Sequence, residues 1–245
     1  MKKNLMISFV LAILSQVSWA QLSEGSKINA NTGTGFNTSK AGVFWNSPSP
    51  VSNTVGQFYL DTLWQEGSIR FNKSVSQSGG SDSLSGVMIR YNVLNDELEV
   101  LANKEKNDVR VVKGNYLKDF TVKKNGGDLS QFASVKDFKT DKELTGFFET
   151  MVTGNLSLMK HYYAKIIKPN YNPGFGTGEK NTIVSIVNDY YAVTNGTAEK
   201  INLSKKSLVS IMKTKESNIE NYIKSNHVDF KKEEDVIGLF KYYNQ

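Results

Sequence analysis

Between Val87 and Val100 the chain alternates. Val87, Ile89, Tyr91 and Val93 are separated by Met88, Arg90 and Asn92, and Leu98 and Val100 resume the pattern after Asn95-Asp96. A period of two fits the pleat of a β-strand and no face of a helix. Asn95 and Asp96 are turn residues, because their side chains bond to nearby backbone and tolerate left-handed geometry. Pairing Val93 with Leu98 places the whole apolar set on one face, which predicts a hairpin with one buried side. On this reading Glu97 and Glu99 share the opposite, solvated face.

The same grammar continues on both sides. Phe58–Leu60, Ser68–Phe71, Val109–Val112 and Leu117–Val122 are short strand candidates. Phe147–Val152 and Leu156–Tyr163 flank Thr153-Gly154-Asn155 as a second hairpin. Ile183–Val187 precedes a third, whose arms Tyr190–Thr194 and Thr197–Ile201 meet at Asn195-Gly196, the preferred pair for a type I′ turn. After Ile201 the period becomes helical. Ser204 can cap a helix through Met212, and Ile219, Tyr222 and Ile223 mark a second over Lys215–Ser225. Asp229 can cap a third, with Val236, Ile237, Phe240 and Tyr243 as its stripe. These stripes are too narrow to stand alone in water, so the helices should pack on the sheet. The expected fold is mainly β with C-terminal α: an antiparallel β-meander curled into a barrel-like or sandwich form, covered by two or three C-terminal helices. Curling or covering removes the free edges that invite aggregation.

The N-terminus reads as an export signal. Lys2 and Lys3 precede an apolar run from Leu5 to Val17, and Ser18 and Ala20 supply the small residues of a cleavage site. The run is shorter than the ~20 residues that span a bilayer, which argues against an anchor. The expected organisation is a signal peptide over 1–20, a flexible Ser/Asn/Thr/Gly-rich segment over 21–55, an antiparallel β domain over 56–203 and a helical element over 204–245. The destination is the periplasm or the exterior. In the flexible segment, Val43-Phe44-Trp45 stands out as an apolar cluster able to dock on the domain.

Cysteine is absent, so neither disulfides, thiolate chemistry nor a lipid-bearing cysteine can contribute, and burial must stabilise the fold. Removing Lys2 and Lys3 lowers Lys+Arg from 30 to 28 against 24 Asp+Glu, a net charge of +4. Only Arg70, Arg90 and Arg110 carry a guanidinium. A weakly basic, lysine-dominated chain bound for export points away from nucleic acid.

Ile89-Arg90-Tyr91-Asn92-Val93 followed by Asp96-Glu97-Leu98-Glu99 resembles a motif of an uncharacterised exported β-rich family of Bacteroidota-type bacteria. So do Lys205-Lys206-Ser207-Leu208, Tyr222-Ile223-Lys224, Glu233-Glu234-Asp235 and Tyr242-Tyr243-Asn244. The resemblance covers about Gly56 to Asn244. It implies bacterial origin, export and a β-then-helix layout, and no catalytic residues.

The residues themselves offer no catalytic set. Glu97 and Glu99 share a face, but the solvated one. His161 and His227 lack ligand-spaced partners. Gly174–Lys180 is glycine-rich yet lacks the G-K-[ST] ending of a phosphate loop, and no G-x-S-x-G elbow occurs. No enzyme activity, metal or cofactor is therefore expected. Aromatic side chains are the remaining candidates, and Trp45, Trp64, Tyr162, Tyr163, Tyr190 and Tyr191 are the expected ligand or partner contacts. Adjacent tyrosines on a strand point to opposite faces, so one of each pair can reach solvent. The C-terminal lysines alternate with acids and read as a solvated face. Two functions fit: an exported non-enzymatic envelope or secreted protein acting through protein–protein contact, with an envelope protein or polysaccharide as partner, or a binding module for a small apolar ligand or glycan. Neither nucleic acid nor a transmembrane segment enters either reading.

Overall fold

The computed structural model describes residues 43–46, 53–73, 82–124 and 126–245. The signal-peptide reading over 1–20 lies outside the described residues, as does most of 21–55. Strands are β1 (Trp45–Asn46), β2 (Thr54–Gly56), β3 (Gln65–Phe71), β4 (Ser83–Asn92), β5 (Glu97–Asn103), β6 (Asp108–Lys113) and β7 (Leu117–Lys123). They continue with β8 (Leu129–Ser134), β9 (Lys139–Thr140), β10 (Phe147–Val152), β11 (Ser157–Ile167), β12 (Thr182–Thr194) and β13 (Thr197–Ile201). Helices α1 (Lys205–Ile211), α2 (Glu216–Ser225) and α3 (Glu233–Tyr243) close the chain.

All strands join one sheet in the order β1-β6-β5-β4-β3-β7-β8-β10-β11-β12-β13-β9, with β2 added to the outer part of β12. Pairing is antiparallel except at β2–β12 and β9–β13. The path has two ends, so the sheet is curled rather than closed. Its curl is steep: the Tyr91 ring on β4 lies 5.6 Å from Phe147 on β10, although β3, β7 and β8 separate those strands. The fold is thus mainly β with a helical C-terminal cover, as the alternation predicts.

Val87, Ile89, Tyr91, Val93, Leu98 and Val100 are all buried, so the predicted face is correct. The register differs from the expected one by two residues, with Tyr91 rather than Val93 opposite Leu98. The face survives because a two-residue slip preserves side-chain parity. Asn92 Oδ1 accepts from the Asn95 amide at 3.1 Å and Asp96 adopts φ 52°, which closes the turn early. Val93 then gives its amide to the Phe58 carbonyl at 2.9 Å instead of to β5. The Asn195-Gly196 turn has φ of 50° and 76°, the two positive values a type I′ turn requires.

The concave face carries two cores. In the first, Ile69, Phe71, Ile89, Leu98, Phe120, Phe132 and Phe147 converge, with Val43 and Phe44 packed against them. Full burial of each such side chain contributes about 1.5–3 kcal/mol. In the second, Leu158, Ala192 and Ile201 meet Leu208, Ile219, Val236 and Phe240 of the helices. On the convex face a smaller cluster of Phe148, Met159, Tyr191 and Val193 is covered by Val135, Phe138 and Leu144.

Two glycines sit where backbone runs close against side chains. Gly146 sits at φ 88°, and a Cβ there would lie 2.7 Å from the Tyr91 hydroxyl. Gly114 would place a Cβ 2.5 Å from the Asp96 carboxylate. Gly146→Ala is therefore expected to destabilise the chain by more than ~1 kcal/mol, since strain and collision act together. A thermal unfolding midpoint within experimental error of the parent would refute this.

The helices follow their stripes, with one boundary moved. Ser204 Oγ accepts from the Ser207 amide at 3.3 Å and caps α1. Asp229 does not cap α3. Its carboxylate accepts from the Lys231 amide at 3.0 Å, and Lys232 is extended, so the helix begins at Glu233. Glu233, Glu234 and Asp235 then occupy the first turn, where the helix dipole favours negative charge.

Candidate functional site

The six predicted contacts fall into four settings. Trp45 on β1 is 36 % exposed, with Tyr116 5.3 Å away and Lys113 over its ring. Trp64 is half-buried as part of a clasp. The Arg90 guanidinium lies 4.0 Å from the Tyr59 ring centroid and 4.5 Å from that of Trp64. Arg90 also pairs with Glu99 at 2.5 Å, and the Tyr59 hydroxyl donates to the same carboxylate at 2.8 Å. Burial and the Glu99 carboxylate hold the Tyr59 phenol above its ordinary pKa. Glu99 is thus buried, not wet. Phe58 and Leu60 bond to the end of β4 and draw the 57–64 segment across this face. Glu97 remains half-buried beside Asn95, so no facing pair of carboxylates forms.

Tyr162 and Tyr190 lie on the concave face, in a polar seam between the two cores. Glu149 of β10 is 3 % exposed and accepts from Lys124 Nζ at 2.6 Å, Ser130 Oγ at 2.8 Å and the Tyr162 hydroxyl at 2.6 Å. Burial alone would raise its carboxyl, but these three hydrogen bonds and the nearby Lys124 charge hold it below the ordinary value. Next to it, Glu233 at the start of α3 accepts from Lys160 Nζ at 2.6 Å and from the Tyr190 hydroxyl at 2.5 Å. Burial and these acidic neighbours raise both phenols. Every donor is aimed at a protein acceptor, so this seam fastens α3 to the sheet.

Tyr163 and Tyr191 lie on the convex face and line one cleft of about 340 Å³. The β11–β12 register sets His161 opposite Asp189 and Met159 opposite Tyr191, and β13 brings Lys200 opposite Tyr191. Residues 141–145 form the facing wall. His161 is 4 % exposed, and its Nε2 is 2.8 Å from the Thr145 carbonyl oxygen. Burial lowers its pKa and favours the neutral ring. Tyr163 lies nearly parallel to that ring at 5.9 Å and is 39 % exposed, whereas Tyr191 is buried and forms part of the floor. Asp189 and Lys200 pair at 2.6 Å, both partly open to solvent. Sequence reasoning found the two tyrosines and set His161 beside Tyr162-Tyr163 on one strand, but missed Asp189 and Lys200 as their neighbours. A signal existed: continuing Ile183–Val187 into the third hairpin makes one long strand that can run beside β11.

The outer part of that strand pair forms a further surface. β10 pairs with β11 only as far as His161, whereas β12 accompanies β11 to Ile167. No other described strand pairs with the β11 edge from Tyr163 to Ile167. Ile166 and Ile167 are exposed, and Phe175, beyond them in the connecting loop, is 79 % exposed. Asn172 and Thr177 form a bridge across this loop, and Asn170 bonds Glu179 through backbone and side chain, so Phe175 sits on a cross-linked tip.

Among the described residues, no group of three or more His, Asp or Glu side chains is placed to hold a metal, and no helix is long and apolar enough to cross a membrane. The fold and these surfaces together define a curled, open antiparallel sheet with a helical cover and a projecting two-stranded arm. Compared with known family models, curated proteins and solved structures, the chain matches none.

Proposed function

We propose that this is an exported, non-enzymatic protein of the bacterial envelope or exterior that acts through protein–protein contact, using the β11–β12 arm. The observation that carries this reading is the β11 edge from Tyr163 to Ile167, which no other described strand pairs, with Ile166 and Ile167 exposed along it. A strand edge offers backbone donors and acceptors to an incoming extended segment, and flanking side chains supply selectivity. Exposed apolar residues grouped at such an edge favour association. Lys165 sits in the middle of the stretch. Antiparallel pairing of two copies centred there would oppose the two Lys165 ammoniums, which disfavours self-association. The partner on this reading is a different chain with an acidic residue opposite Lys165.

The test is site-specific photocrosslinking in cells that export the protein. A crosslinker at Ile166 should yield a discrete adduct with a second protein, and Ile167→Asp should abolish it. A crosslinker at Leu129, also exposed but outside the arm, should yield none. Equal adducts from both positions, or none from Ile166, would remove the arm from consideration.

A further inference from the structure

The convex-face cleft has a lining that selects a ligand class. Its volume of about 340 Å³ lies at the small end of the ~300–1,000 Å³ range of small-ligand sites, which suits one or two sugar rings. The lining is amphipathic: Leu144 and the tyrosine rings supply the larger, apolar share, and Asp141, Lys142, Glu143, Asp189 and Lys200 set charges around it. An apolar ligand would use the rings but leave the Asp189–Lys200 pair beside it unused and partly desolvated. A phosphate or other anion would meet more carboxylates than ammoniums and no guanidinium. A neutral polyol meets neither obstacle. The C–H face of a sugar ring can lie on an aromatic ring, and its hydroxyls both donate to carboxylates and accept from ammoniums.

We propose that this cleft binds a neutral saccharide, with the sugar ring on Tyr163 and its hydroxyls shared between Asp189 and Lys200. The geometry supplies each part. Tyr163 is backed by the nearly parallel His161 ring, which fixes its orientation while leaving the phenol 39 % exposed. Asp189 and Lys200 already face each other at 2.6 Å from neighbouring strands, so the polar pair is in place before a ligand arrives. The contact of His161 with the Thr145 carbonyl ties the 141–145 wall to the β11 floor. The cleft meets the arm edge only at Tyr163; Asp189 and Lys200 lie on β12 and β13, and Ile166 and Ile167 are outside its lining.

The test uses the mature full chain, with glucose, galactose, mannose, N-acetylglucosamine and cellobiose as probes, and glucuronate and galacturonate as anionic counterparts. Saturation-transfer NMR should detect at least one neutral probe, with shifts at the His161 imidazole resonances. Tyr163→Ala and Asp189→Asn should each weaken that binding by about tenfold or more while leaving the thermal unfolding midpoint near the parent value. Ile167→Asp in the arm should leave sugar binding unchanged, which separates this result from the fate of the protein-contact reading. Absence of binding by every neutral probe, tighter binding of the uronates, or unchanged affinity in the correctly folded Tyr163→Ala variant would overturn the proposal.

Discussion

Phe120→Ala is expected to cost about 3–5 kcal/mol of unfolding free energy, the range for emptying a large aromatic from a packed core. Phe120 is 1 % exposed on β7. Its ring stacks on Phe132 at 4.6 Å, meets Phe147 edge-on at 5.0 Å and approaches Tyr91 at 5.5 Å. Those partners come from β8, β10 and β4, and the sheet ladders hold each of them in place. They are poorly placed to collapse into the space left behind, so the cavity penalty adds to the lost transfer energy. Phe120→Leu, which retains most of the apolar volume, should cost less than half as much. Urea unfolding followed by circular dichroism reads both values. A Phe120→Ala chain within ~1 kcal/mol of the parent would show that the ring is not central to the curl.

Glu149→Ala is the second large effect, at about 2–4 kcal/mol. The Tyr162 hydroxyl and the Ser130 hydroxyl would lose their acceptor inside the seam, and each buried unsatisfied group costs roughly 1–3 kcal/mol. Lys124 is 47 % exposed and can return to water, so its loss adds little. Tyr162→Phe removes one donor and leaves the carboxylate paired, and should cost only about 0.5–1.5 kcal/mol. The pH dependence is a sharper test. The folded Glu149 carboxyl is held below its ordinary value of 4.5. Its stabilising contribution is therefore fully present above that pH, and is lost as pH falls through the lower folded value. The stability difference between the parent and Glu149→Gln should be constant near neutrality and shrink on acidification below 4.5. Asp96, whose carboxyl is raised by burial, contributes with the opposite sign but is common to both chains and cancels. A difference that stays flat to the acid transition would mean that folding does not lower the Glu149 carboxyl.

The polar seam also explains why the helices, legible from their stripes, dock where they do. Glu233 looks in sequence like one of several acids opening a helix, yet Lys160 and Tyr190 meet it from two neighbouring strands. Asp229, the better cap by residue type, is diverted to its own turn. Glu99 shows the converse. Strand alternation places it correctly on the face opposite Leu98, but burial of that face depends on Tyr59, 40 residues earlier in the chain, and Trp64 arriving across it. Alternation tells which residues share a side and is silent on what covers it.

The sequence by itself determined most of the long strands, the three helices, the three hairpins, the buried face of β4–β5 and the absence of any cysteine-based chemistry, but left β8 unmarked and read Phe58–Leu60 as a strand where only an isolated Tyr59–Asn92 bridge forms. These are local: side-chain parity, turn residues with positive φ and helical stripes act within a few positions of one another. Tertiary structure decided the steep curl, the burial of Glu99 and Glu149, the gathering of His161, Asp189 and Lys200 around Tyr163, and the open edge of β11. Each depends on which distant strands meet and how far one outruns its neighbour, and the long-range packing that fixes this leaves no periodic mark on the chain.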